Sequence, residues 1–275
     1  MTKAVNMSVN EFFGWKNHPF SDLADQYDEI MVRHDQEVLK RAVELLKIGK
    51  SFAITGGSGI GKTTLTRAII KALDPRNYQI MWVPYTGANR NGILRMLAEK
   101  TGIELTRKGL PPLAKLQKHI AAEQKDRGAP FPIIVVDDAQ HLENESLMDL
   151  CAILTNSEDN RVIMAVILVG DENLDRTLRL SSQKAISSRL ACVFKMKSLV
   201  HEDAKSLLNH RMEKAKAPQN LFDKEALELV AANCGGNRRE LMKLAFNLCM
   251  EAHLRSEKVI TAEMIMSTEY MQTNG

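Results

Sequence analysis

The sequence predicts an α/β fold in which a mostly parallel sheet alternates with helices and is followed by a small all-helical part. Three observations predict it. A glycine-rich phosphate-binding motif sits between a strand pattern and a helix pattern. A second strand pattern, Ile133-Ile134-Val135-Val136, runs directly into two carboxylates, Asp137 and Asp138. Near residue 198 the strand patterns stop, and helical ones continue.

The first motif is Gly56-Gly57-Ser58-Gly59-Ile60-Gly61-Lys62-Thr63, which fits G-x-x-x-x-G-K-[ST], a P-loop. Ser51 to Thr55 before it reads as a buried strand, and Thr64 to Leu73 after it as a helix. Glycines let successive backbone N–H groups turn toward phosphate oxygens, and the helix N-terminus adds partial positive charge. Gly57, Ser58, Gly59, Ile60, Gly61, Lys62, Thr63 and Thr64 are therefore the expected phosphate-binding residues. Lys62 reaches the β- and γ-phosphates, and the Thr63 hydroxyl takes a magnesium site.

Four consecutive β-favouring residues before Asp137 suggest a strand buried on both faces. Its carboxylates then fall at the strand's C-terminal end, where α/β sheets bind ligands. Asp137 is expected to organise Mg2+ through its water shell. Asp138 stands where a carboxylate would polarise the attacking water.

The other elements follow in order. Arg33 to Lys47 has helical spacing and ends at Gly49. Tyr78 to Tyr85 reads as a second strand, Ile93 to Lys100 as a short helix and Leu113 to Gln124 as another. Arg161 to Gly170 is a further strand after a helix over 142–154, and Ala191 to Met196 the last. Helical patterns then cover 201–215, 223–233, 238–255 and a short stretch from Thr261, with Asp223 and Thr261 as N-caps. The predicted division is 1–32, an aromatic segment packing on the nucleotide-binding core; 33–197, the αβ domain; and 198–275, the helical domain. In the first of these, Phe12, Phe13, Trp15, His18 and Phe20 put five rings close together. They serve either as a hydrophobic clasp or beside the nucleotide base.

Composition narrows the class. Of 275 residues, 44% are hydrophobic and 26% charged, as in ordinary globular chains, and the net charge of +3 permits contact with nucleic acid without arguing for it. Cys151, Cys192, Cys234 and Cys249 form no C-x-x-C pair and read as reduced core thiols. No apolar run approaches the roughly 20 residues of a membrane span, and Met1 to Asn10 lacks a signal-peptide core. The expected location is cytoplasmic.

The ordered motifs resemble the AAA+ ATPases, and within them the ExeA-like branch, general secretion pathway protein A. They are Phe12-Phe13-Gly14 through Pro19-Phe20, the P-loop, Asp137-Asp138-Ala139-Gln140, Leu168-Val169-Gly170, Ser187-Ser188-Arg189 and Gly236-Asn237-Arg238-Arg239. The resemblance implies ATP and Mg2+, hydrolysis to ADP and phosphate, and a ring or helical filament with nucleotide at subunit interfaces. It gives Arg189 the role of a finger reaching a neighbour's ATP, and Arg239 (or else Arg238) that of a γ-phosphate sensor. The sensor on the strand before Gly170 falls to Asp171 or Asn173.

A chain of this kind is also similar to the transposition ATPases TniB, TnsC and MuB. That similarity implies ATP-dependent assembly on duplex DNA, target marking, and a transposase or target-selection protein as partner. Arg90, Arg107, Lys108, Lys115 and Lys118 follow the second strand and are the candidate phosphate contacts. The alternative is an ATPase serving secretion or envelope assembly without DNA. A small nucleotide kinase is disfavoured by the helical part and the late arginines.

Overall fold

The computed structural model describes residues 7–21, 32–83, 90–105, 110–125, 128–156, 158–180 and 183–267. Five strands are present, β1 (Ser51–Thr55), β2 (Tyr78–Val83), β3 (Phe131–Val136), β4 (Ala165–Gly170) and β5 (Leu190–Lys195). The helices are α1 (Val9–Phe13), α2 (Arg33–Lys47), α3 (Lys62–Lys71), α4 (Arg90–Lys100), α5 (Pro112–Glu123), α6 (Asn144–Ala152), α7 (Glu172–Arg179), α8 (Lys184–Ser187), α9 (His201–Lys214), α10 (Lys224–Asn233), α11 (Arg238–Leu254) and α12 (Ala262–Ser267). The chain divides into two compact units, one of Asp35–Gly57 with Lys62–Met196, the other of Met1–His34, Ser58–Gly61 and Lys197–Gly275.

The first unit holds a parallel sheet in the order β2-β3-β4-β1-β5. β1, β3 and β4 are buried almost throughout, whereas the edge strands β2 and β5 are partly exposed. That is why the inner strands read as unbroken apolar runs. Alternate residues share a face: Met81, Val83, Ile134, Val136, Val166 and Leu168 pack with Leu97, Leu116, Ile120, Leu147 and Leu174 of the helices. Each such fully buried aliphatic side chain contributes roughly 1.5–3 kcal/mol. Since all strands run parallel, the P-loop after β1, Asp137 after β3 and Asp171 after β4 emerge at the same end of the strands.

One strand differs from expectation. Arg161 to Met164 lies outside β4, because Val162 makes an isolated antiparallel bridge with Thr155. Asn156 N–H donates to the Arg161 carbonyl, closing that turn before the strand starts at Ala165.

In the second unit Trp15 and Phe20 are buried in one cluster with Leu208, Leu221, Val230, Leu241 and Ile265. The expected seat of the aromatic segment on the nucleotide-binding core is thereby corrected. Its rings find aromatic partners in the C-terminal part instead: Phe20 packs on Phe222, between α9 and α10, at 5.9 Å and His18 on Phe246 of α11 at 4.7 Å. Phe13 stacks on Trp15 at 4.3 Å, and the Lys258 ammonium lies 3.6 Å over the Phe12 ring. Asp223 caps α10 by accepting from the Ala226 N–H, and Thr261 accepts from the Met264 N–H. The four cysteines are unpaired thiols, and Cys151, Cys234 and Cys249 are buried. Among the described residues no helix is long and apolar enough to cross a membrane.

Candidate nucleotide site

β1 ends at Thr55, at the C-terminal end of the parallel strands, and α3 begins at Lys62. The Lys62 ammonium donates to the carbonyls of Gly56 and Gly57, both at 2.8 Å. The loop's own oxygens thus satisfy the cation at the place where phosphate oxygens would do so. Ile60 is buried, while Thr64 is exposed.

Thr63 Oγ1 donates to Asp137 Oδ2 at 3.1 Å, joining α3 to the end of β3. Both donor atoms to a metal here would be hard oxygens, the type magnesium takes. Among the described residues no group of three His, Cys, Asp or Glu could hold a metal. An ion at Thr63 and Asp137 would therefore complete its shell with water and nucleotide phosphates, and these residues fit that role. Asp138 is exposed and adopts a left-handed backbone, φ 53° and ψ 38°, which aspartate tolerates better than most residues. Its N–H donates to Asp137 Oδ1 at 3.0 Å.

Asp171 serves as the N-cap of α7: its Oδ1 accepts from the N–H groups of Asn173 (2.7 Å) and Leu174 (3.4 Å). The Asn173 amide donates to Asp171 Oδ2 at 3.1 Å. Arg189 is exposed just before β5, and its Nη1 donates to the Ala185 carbonyl at 3.3 Å. Burial pushes the Cys151 thiol up to about 11, and the nearby Arg189 guanidinium partly offsets this.

The unit that holds Ser58–Gly61 also holds the late arginines. Within it, Arg239 Nη1 donates to Ser58 Oγ at 3.0 Å and the Arg239 N–H to the Gly59 carbonyl at 3.0 Å. Asn237 does more. Its Oδ1 caps α11, accepting from Arg239 N–H and Glu240 N–H, and its Nδ2 donates to the Ser58 carbonyl at 2.7 Å. Gly59 allows this approach: its φ is +76°, and a Cβ there would come within 2.3 Å of Asn237 Oδ1. The signal was the G-N-x-R motif itself, whose Asn has the side chain for an N-cap.

Residues 48–178 match the family model of the AAA domain. The matched stretch carries the P-loop, Asp137 and Asp138, and the fold is that of a P-loop NTPase. General secretion pathway protein A of Aeromonas hydrophila is 24% identical to the chain over 262 residues, 94% of this chain and 47% of that one. The chain thus spans about half the length of that curated relative. Cdc6p of Pyrobaculum aerophilum shares the fold with a TM-score of 0.70 at 17% identity, covering 88% of this chain and 67% of that one. The ORC1 protein of Aeropyrum pernix in complex with DNA does so at 0.66 and 19%, covering 88% and 66%.

Of the candidate DNA contacts, Lys115 and Lys118 lie on α5, Lys118 exposed and Lys115 half-buried. Arg90 opens α4. Arg107 and Lys108 lie outside the described residues.

Proposed function

We propose that this AAA+ ATPase assembles with ATP and Mg2+ into a ring or helical filament on duplex DNA, and there marks target sites for a transposase. The observation that carries the assembly is the register of β5. Leu190 pairs with Ser51 and Lys195 with Thr55, so Arg189 sits at the opposite end of the sheet from the P-loop. The strand between them spans roughly 16 Å at about 3.3 Å per residue, farther than an arginine side chain extends. That separation supports a role for Arg189 at another subunit's nucleotide and not at its own.

In that composite site Lys62 and the loop N–H groups hold the triphosphate, and Arg239 reports the γ-phosphate. Thr63 and Asp137 would hold the ion, which would supply charge neutralisation at the phosphate oxygens. Asp138 takes a proton from water as the water oxygen bonds to the γ-phosphorus. The bond from that phosphorus to the β–γ bridging oxygen breaks, leaving ADP and phosphate. Arg189 of the neighbour meets the charge spread over the transferring oxygens, a role suited to a planar guanidinium. Hydrolysis then loosens the interface, so turnover times disassembly.

For DNA, support comes from the fold shared with a protein solved in complex with DNA, and from exposed Lys118. Contacts of this kind read phosphates and not bases. A second reading, a role in secretion or envelope assembly, is favoured by the curated relative. Electron microscopy and fluorescence anisotropy with labelled duplex, in ATP analogue or ADP, separate the two. The DNA reading expects analogue-dependent assemblies on DNA and salt-sensitive binding. DNA-free particles with and without duplex would leave the secretion reading.

A further inference from the structure

A single side-chain amide spans the loop after β3 and the end of β4. Gln140 Nε2 donates to Asp138 Oδ1 at 3.1 Å, and the Asp171 N–H donates to Gln140 Oε1 at 3.1 Å. The two bonds fix the amide's direction. A backbone N–H needs an acceptor, so Oε1 must face Asp171 and the NH2 group must face the carboxylate. Turning the amide over would set donor against donor and oxygen against carboxylate. The last residue of β4 makes room for it: a Cβ on Gly170 would come within 2.9 Å of Gln140 Oε1 and 2.6 Å of Leu174 Cδ2.

The bond matters because of what it holds. Asp138 is exposed on a left-handed backbone, so packing does little to aim its carboxylate. On the other side, Asp171 is the cap of α7. One amide thus connects a catalytic carboxylate to a helix start two elements away.

We propose that Gln140 is a positioning residue for ATP hydrolysis. By donating to one oxygen of Asp138, it turns the other oxygen toward the attacking water. By accepting from Asp171, it ties that aim to the seat of α7. This rests on Asp138 as the acceptor of the water proton. In this role Gln140 acts through Asp138 and not on the water or phosphate itself.

The test compares Gln140→Ala, Gln140→Glu and Asp138→Asn in the full chain with duplex DNA and Mg2+. Turnover at saturating ATP, KM, labelled-ATP affinity and Tm are read for each. Gln140→Glu keeps the length and can still accept from Asp171, but it cannot donate to Asp138. Both Gln140 variants are expected to lose about 10- to 100-fold in kcat, the scale of a misaligned catalytic group. Their ATP affinity should stay within about twofold of wild type, the change being confined to positioning. A packing role predicts instead that Gln140→Glu turns over like wild type while Gln140→Ala does not, and that result overturns the proposal. So does wild-type kcat in both. If Asp138→Asn itself keeps wild-type turnover, the reading of Asp138 falls first and the positioning role with it. If Asp138→Asn is inactive while the Gln140 variants are not, the positioning role alone fails.

Discussion

Lys62 is a cation already satisfied by the carbonyls of Gly56 and Gly57. Nucleotide binding exchanges those neutral acceptors for charged phosphate oxygens, a gain of roughly 1.5–3 kcal/mol per charge-assisted bond. Lys62→Ala should therefore weaken ATP binding by at least about 10- to 100-fold in a fluorescence titration. Asp138→Asn removes the proposed proton acceptor but no proposed phosphate contact. It should keep ATP affinity within about twofold and lower turnover by about 100- to 10,000-fold, measured as phosphate release. The types of these residues were legible because the P-loop and the paired carboxylates carry their chemistry in one short stretch each. Gln140 and Asn237 were not, because their partners Asp171 and Ser58 lie far away along the chain and become neighbours only through folding.

At the scale of elements, the buried strands and amphipathic helices announced themselves by apolar run and period. Their order in the sheet did not, since parallel strands alike in composition can be permuted without changing any pattern. Nor did the destination of the aromatic segment: rings can cover any apolar surface, and the choice was made by Phe222 and Phe246. Phe20 is 2% exposed there, so Phe20→Ala should cost about 3–5 kcal/mol, read as a lower denaturation midpoint. His18 in the same cluster accepts the Phe20 N–H at Nδ1 and is held neutral, burial pushing its pKa down to about 4. Below the ordinary histidine value near 6.5 the unfolded chain binds a proton that the folded chain refuses. His18 therefore costs no stability above pH 6.5, and an increasing amount as pH falls toward 4. Replacing it by Gln should flatten that part of the Tm–pH curve, as recorded by differential scanning calorimetry.

At the scale of the whole molecule, the P-loop and Arg189 occupy opposite ends of the β1–β5 pair. Arg189→Ala should leave ATP affinity near wild type while removing hydrolysis, by about 1,000-fold or more, because in the proposed role the guanidinium acts on transition-state charge. Binding to duplex should weaken with salt at a slope of about −0.9 per neutralised phosphate, and Lys118→Ala should reduce that slope by up to about 1. The separation also allows a decisive mixture. Arg189→Ala subunits keep an intact P-loop, Lys62 and Asp138; Asp138→Asn subunits keep an intact finger. Phosphate release is measured for each variant alone and for an equal mixture with duplex DNA. If the site is completed by a neighbour, two inactive proteins should regain a substantial share of wild-type turnover on mixing. If the mixture stays as inactive as its components, or if Arg189→Ala alone turns over like wild type, ATP hydrolysis does not depend on Arg189 reaching across the interface.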